Sequence, residues 1–332
     1  MKYRRALGAA ALFSIATLIA RLLAAARLRR WERGEPASVR DQDETVVLDG
    51  IGLRVRDAGA RAVERRATPL LLIHGFGASM FSFRHQIDEM AQSRRVTAID
   101  LPGFGYSDRP LDADLSHSAH VTRLISLMDR LGIERAVIVG HSMGGAIALR
   151  LAAEHPGRVA GLVLAGAAHP NQRPPSPLVR LMRPLLPLVL ATFVGTGRLR
   201  AQLRRMVYDP AFITDEVAAG YIEPLRLRGT AATLINQISS VSRDQPVAVQ
   251  TITAPTLLLW GESDRVVPPP TGARLLADLP ASRIEMISRA GHFLLEEQPQ
   301  ACNRAINAFL EEVDSTTPDR YGKDRASQAV GV

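Results

Sequence analysis

The stretch Val137-Ile138-Val139-Gly140-His141-Ser142-Met143-Gly144-Gly145 narrows the possible folds more than any other in the chain. Its start, from Ala136 to Val139, is β-branched and apolar and reads as a buried strand. Ala146 to Glu154 has helical composition. A serine at the apex of a tight turn between the two is held in a strained conformation, the arrangement that presents a side-chain nucleophile. The glycines two residues before and after Ser142 then have a steric role, because strand and helix backbones nearly touch there. Composition alone would produce Gly-x-Ser-x-Gly in about one chain in ten of this length. The flanking strand and helix therefore carry the specificity.

A strand feeding a helix through such a turn belongs to alternating α/β architecture, and the rest of the chain follows that pattern. Thr45 to Leu48 and Gly52 to Arg56 flank Asp49-Gly50 and predict a β-hairpin. Leu70 to Ile73, Val96 to Ile99, Val159 to Leu164, Thr256 to Trp260 and Ile284 to Ile287 read as further strands. Helices are expected over Phe81 to Ala91, Ser118 to Leu131 and Pro299 to Val313. The alternation implies a mainly parallel sheet covered on both faces, with its site at the carboxyl ends of the strands. It breaks down after Ala168, and residues 171–250 are expected to be a helical cap inserted before the strand at Thr256. The cap's apolar, proline-broken start, Pro177 to Leu190, has two readings: a helix buried under the lid, or a lid surface that meets lipid or apolar substrate. The core is thus residues 45–170 and 251–313, and residues 314–332, polar and aperiodic, are expected to be disordered.

At 332 residues, with 46% apolar and 22% charged side chains, the chain can bury a large core. Its formal net charge of +8 suggests nucleic acid until the charge is located. Lys2, Arg4, Arg5, Arg21, Arg27, Arg29, Arg30 and Arg33 stand against Glu32 alone, which puts +7 of the +8 in residues 1–33. The remaining body is near neutral and carries no basic stripe with interleaved aromatics, so no nucleic-acid partner is expected. The single cysteine, Cys302, excludes an intrachain disulfide and a cysteine metal cluster.

Residues 1–33 read as a segment outside the fold. A basic start precedes the uncharged run Ala6 to Ala20, Arg21 interrupts it, and Leu22 to Ala26 resumes. A membrane anchor over Ala6 to Ala26, with Arg21 snorkelling and Trp31 at the interface, is the preferred reading, and it makes the membrane surface a partner. A signal peptide cleaved near Ala24-Ala25-Ala26, followed by export, and a soluble amphipathic extension are the alternatives.

A serine hydroxyl needs a base within hydrogen-bond reach, oriented in turn by a carboxylate. Three histidines follow Ser142. His155 ends the elbow helix and faces away, and His169 lies where the lid begins. His292, in Ala290-Gly291-His292-Phe293, returns to the sheet's carboxyl edge and is the expected base. Asp264 follows the buried strand Leu257 to Trp260 and is the expected acid, with Glu262 as a rival. Two amides must stabilise the oxyanion. Met143 supplies one, and Phe76 in His74-Gly75-Phe76-Gly77 the other, with Gly77 as the alternative.

Together with Asp100-Leu101-Pro102-Gly103-Phe104-Gly105-Tyr106-Ser107, these motifs resemble the motif set of the α/β-hydrolase family, in the branch that holds monoacylglycerol-type lipases, carboxylesterases, cofactor-free haloperoxidase-like enzymes and ring-cleavage C–C hydrolases. That resemblance implies the α/β-hydrolase fold, a Ser142, Asp264, His292 triad, and hydrolysis of carboxylic esters without cofactor or metal. The serine argues against the epoxide hydrolase and haloalkane dehalogenase branches, which carry aspartate there. The terminal apolar segment and lid point to lipophilic, acylglycerol-type esters. The other readings are a C–C bond hydrolase of ring-fission products, a branch that often has asparagine where His141 stands, and a catalytically silent scaffold. The family keeps His74 and His141 as supporting groups. His85, His117 and His120 are expected to be solvated or capping, Asp100 and Asp108 to hold turns, and no metal site is expected.

Overall fold

A computed structural model describes residues 2–32, 34, 43–59, 67–172 and 176–316. In chain order these form α1 (Lys2–Trp31), β1 (Glu44–Leu48), β2 (Ile51–Ala58), β3 (Leu70–Ile73), α2 (Arg84–Met90), β4 (Val96–Ile99), α3 (His117–Arg130), β5 (Ala136–His141), α4 (Met143–Glu154) and β6 (Val159–Ala165). The inserted helices follow: α5 (Ser176–Met182), α6 (Leu186–Phe193), α7 (Thr196–Met206), α8 (Asp215–Ile222) and α9 (Thr230–Val241). The chain then returns to the core through β7 (Thr256–Gly261), α10 (Pro269–Asp278), β8 (Ser282–Ile287), α11 (Leu294–Glu297) and α12 (Pro299–Thr316). The end of α12 takes in residues 314–316 of the expected tail, and the rest of that tail lies outside the described residues.

The eight strands form one sheet in the order β1-β2-β4-β3-β5-β6-β7-β8. The hairpin β1–β2 and the β2–β4 pair are antiparallel, and all other pairs are parallel. The hairpin turns on Asp49 and Gly50, with φ of 49° and 75°, the left-handed pair a two-residue turn needs. The strands are apolar throughout because both sheet faces are covered, and the period of two divides them cleanly. Leu71, Ile73, Ile138, Leu162, Leu164, Leu258 and Trp260 pack under α3, α4 and α10. Leu70, Leu72, Val137, Val139, Val163, Leu257 and Leu259 pack under α2, α11 and α12. Strand order reverses between β3 and β5, so their carboxyl ends lie side by side with Ile73 opposite Gly140. A crevice opens at such a reversal.

Among the described residues the insertion after β6 is built of helices joined by turns and holds no strand, as expected, apart from a single β-bridge between Leu227 and Gly34. Its apolar start is not a helix buried under the lid. Pro184 and Pro187 divide it into α5, a 3-10 turn and α6, and Leu181 is 74% exposed, with Val189 and Phe193 also open. Nor does α1 stand apart from the fold. Its last turns lie on α6, with Ala24 and Leu28 buried beside Ala191. Its outward residues Leu18, Ile19, Leu22 and Leu23 are exposed. Among the described residues, no helix is long and apolar enough to cross a membrane.

Candidate active site

Ser142 sits at the end of β5 with φ of 53° and ψ of −116°, a conformation costly to any residue with a side chain, by about 1–3 kcal/mol. The turn is held by Ser142 N donating to Ala165 O at 3.1 Å and by Ser142 O accepting from Gly145 N and Ala168 N. A Cβ on Gly140 would lie 2.5 Å from Gly144 O, and one on Gly144 would lie 2.0 Å from Ile73 O. The glycines therefore let strand and helix close on each other, as their spacing predicts.

Asp264 follows β7 and His292 follows β8. The sheet brings them together, with Asp264 Oδ2 2.8 Å from His292 Nδ1 and both side chains buried, 0% and 3% exposed. The other carboxylate oxygen accepts from the amides of Val266 and Val267 at 2.8 and 2.9 Å, which fixes its orientation. Because the carboxylate can only accept, Nδ1 is assigned the proton and Nε2 is left as an acceptor. The pair stands over the end of β6, the strand beside Ser142. A Cβ on Gly166, which has φ of 49°, would lie 3.0 Å from Asp264 Oδ2 and 3.3 Å from His292 Nδ1.

The loop after β3 runs past the nucleophile. A Cβ on Gly75 would be 3.0 Å from that of Ser142. Ala78 N closes a turn on Gly75 O at 3.2 Å, leaving the Phe76 and Gly77 amides outside that hydrogen bond. Met143 N belongs to the first turn of α4, where backbone N–H groups have no intrahelical acceptor. The rivals go elsewhere. Glu262 accepts from Ser288 Oγ at 2.8 Å, His169 faces Asp278 at 3.2 Å, and His155 caps the far end of α4.

The family profile described as alpha/beta hydrolase fold matches residues 68–204 and 191–299. The chain belongs to the alpha/beta hydrolase family. It is 31% identical, over 80% of its length and 93% of the relative's, to a 2-hydroxy-6-oxononadienedioate/2-hydroxy-6-oxononatrienedioate hydrolase of Burkholderia vietnamiensis. It is 31% identical to epoxide hydrolase 3 of Xenopus tropicalis, covering 78% of this chain and 77% of that one. A solved structure described as a membrane phospholipase A and bacterial virulence factor is 29% identical, with a TM-score of 0.65, over 94% of this chain and 99% of that one.

In this alpha/beta hydrolase His141 and His74 brace the site, as the family resemblance implies. His141 Nε2 donates to His292 O at 2.9 Å, and burial lowers its pKa to about 3. His74 Nδ1 donates to Gly75 O at 2.7 Å, its Nε2 accepts from Leu101 N at 3.0 Å, and burial lowers its pKa to about 4. Asp100 holds a turn, accepting from Met80 N at 2.7 Å and Tyr106 N at 2.9 Å. His117 and His120 are not solvated. Both are buried, and His120 Nε2 meets Gln237 Oε1 of α9 at 3.0 Å, tying the core to the cap.

The sequence reading did not identify the residues that lock the base loop to the cap. His292 N donates to Met206 O, at the end of α7, at 2.7 Å. The Glu297 carboxylate accepts from Gly291 N at 2.9 Å and Tyr208 N at 2.6 Å. Beside it, buried Glu296 pairs with Arg84 and accepts from the Tyr221 hydroxyl of α8, while the Tyr221 ring stacks on Phe293 at 4.8 Å. A pair of acids just after the apolar Phe293-Leu294-Leu295 was the available sign of them.

These buried groups set the acid response of the fold. Burial lowers His74 and His120 to about 4 and His141 to about 3, and it raises Asp100 to about 6 and Glu296 to about 7. Between about pH 4.5 and 6, unfolding therefore takes up three protons on the histidines and releases two from the acids. Burial lowers His85 and raises Glu297, shifts that act in opposite senses on this balance. The unfolded chain binds the extra proton, so stability falls on acidification, by roughly 1 kcal/mol per pH unit. Glu296→Gln removes one released proton and should steepen the fall to roughly 3 kcal/mol per unit. Urea unfolding at several pH values across this window measures both slopes.

Proposed function

We propose that this alpha/beta hydrolase cleaves carboxylic esters of lipids at a membrane surface. What carries the ester reading is a serine on the strained elbow, one strand from a buried histidine whose free nitrogen is set by an aspartate. In this reading His292 Nε2 takes the Ser142 Oγ proton as Oγ attacks the ester carbonyl. The amides of Met143 and Phe76 receive the oxyanion, with Gly77 as the alternative to Phe76. Asp264 stabilises the imidazolium, which returns the proton to the departing alcohol. Water, activated by the same histidine, then releases the acyl group.

Two observations support a lipid substrate. The exposed apolar side chains of α1, α5 and α6 lie among arginines, a composition suited to anionic headgroups. The likeness to a solved membrane phospholipase A extends over nearly the whole chain.

The full chain should hydrolyse p-nitrophenyl esters with a kcat/KM that rises from acetate to medium or long acyl chains, and should release fatty acid from phospholipid vesicles. Turnover confined to acetate and butyrate would overturn the lipid assignment. A second reading, C–C bond cleavage of a ring-fission dienoate, is favoured by the 31% identity to such a hydrolase. Turnover of that substrate without any ester turnover would replace the first reading with the second.

A further inference from the structure

We infer that Glu297 is a positioning residue, through which the seat of the cap sets where the base His292 stands. The inference rests on the Ser142 and His292 reading but on neither choice of substrate. Between β8 and the single turn of α11, the segment that carries His292 is neither helix nor strand. Its place is therefore set by what its backbone meets. Asp264 aligns the imidazole, but a side chain swings with its Cα, so the main chain must be fixed as well.

Three hydrogen bonds fix it. His292 O accepts from His141 Nε2 at 2.9 Å, inside the core. The other two lead to the cap. His292 N donates to Met206 O at 2.7 Å, and Gly291 N donates to Glu297 Oε1 at 2.9 Å. The second oxygen of Glu297, Oε2, accepts from Tyr208 N, two residues beyond the end of α7, at 2.6 Å. One carboxylate thus spans the base loop and the cap. Glu297 is anchored in turn, its N donating to Phe293 O at 2.8 Å across the turn of α11.

The approach leaves no slack. A Cβ on Gly291 would lie 2.5 Å from Met206 O and 2.8 Å from Tyr208 N, and one on Gly261 would lie 2.2 Å from Gly291 O. Gly291 is pressed between the end of β7 and the cap, so a shift of either moves the residue before the base. Two N–H donors converge on Glu297, and a carboxylate accepts at both oxygens. A glutamine would turn its own N–H₂ towards one of them. Bonds to the charged acceptor are also roughly twice as strong as neutral ones. A reacting group displaced by about 1 Å loses on the order of 10²-fold in rate.

The test is the rate at which a fluorophosphonate labels Ser142 in the full chain, because this reaction uses the serine and its base without an ester. Glu297→Gln and Glu297→Ala should both label about ten-fold or more slowly than the parent. On whichever substrate the parent turns over, kcat should fall while KM stays within about three-fold. Asp57→Asn is the structural control. It weakens the 2.7 Å pair with Arg95 at the amino end of the parallel strands, so it should lower the melting temperature and label at the parent's rate. Labelling of folded Glu297→Gln within about two-fold of the parent would overturn the role, as would a slowing that Asp57→Asn shares or a raised KM at unchanged kcat. Should Glu297→Ala fail to fold, the isosteric Glu297→Gln decides alone. A parent that labels but cleaves no ester loses the ester reading and leaves this test in force. Normal labelling of the Glu297 variants removes the role of Glu297 and leaves the ester reading standing.

Discussion

Ser142→Ala is expected to lower ester turnover by at least ~10⁴-fold with the fold intact. Alanine keeps the Cβ and meets no new atom, so the melting transition should stay within about 1 kcal/mol of the parent. The decisive feature is non-additivity. If Ser142 and His292 act as one unit, the double variant Ser142→Ala, His292→Ala should be no slower than either single one. Asp264→Asn should cost ~10⁴-fold by turning the imidazole to the wrong tautomer. Ser142→Gly should be equally inactive yet more stable by up to about 1 kcal/mol, because glycine relieves the φ of 53°. Ester turnover that persists in Ser142→Ala would remove the serine from the mechanism. Kinetics with p-nitrophenyl esters and urea unfolding of these five variants beside the parent test all of this.

Gly144→Ala should cause the largest loss of stability of any single methyl added to the chain. The new Cβ would lie 2.0 Å from Ile73 O and 2.7 Å from His74 O, backbone atoms of the central strand and its loop that cannot move aside. Overpacking a core typically costs 1–3 kcal/mol, and an obstruction by fixed backbone should cost about 3 kcal/mol or more. The shift of α4 away from β3 would also displace Ser142, so surviving protein should have lost activity. Gly157→Ala is the control, because a Cβ there meets nothing within 4 Å and should alter stability by less than about 0.5 kcal/mol. Soluble yield and thermal melts of the two variants separate them. Equal stability would mean that the elbow does not need its glycine.

The elbow was legible because its steric demand is local. Two glycines flanking a serine after a β-branched run leave few other conformations, and the would-be Cβ contacts at Gly140 and Gly144 bear this out. The strands were legible because a sheet covered on both faces demands apolar runs of four to seven residues, such as β3 and β6, and turn residues bound them. His292 and Asp264 were legible by elimination, since each stands in a loop directly after a strand.

The surroundings of His120, Tyr221, Glu296 and Glu297 were not legible. A buried polar side chain looks like a solvated one until its partner arrives from elsewhere in the chain. Glu296 meets Arg84, and His120 meets Gln237, across more than a hundred residues. Glu32 reads in sequence as a lone acid among arginines, and only the docking of α1 makes it the cap of α9. Local sterics and the period of hydrophobicity are written residue by residue, so the sequence by itself determined the sheet, the elbow and the candidate acid and base. Tertiary structure decided the seating of α1, the ties between cap and base loop, and the protonation of the buried groups, because each depends on which distant atoms exclude water.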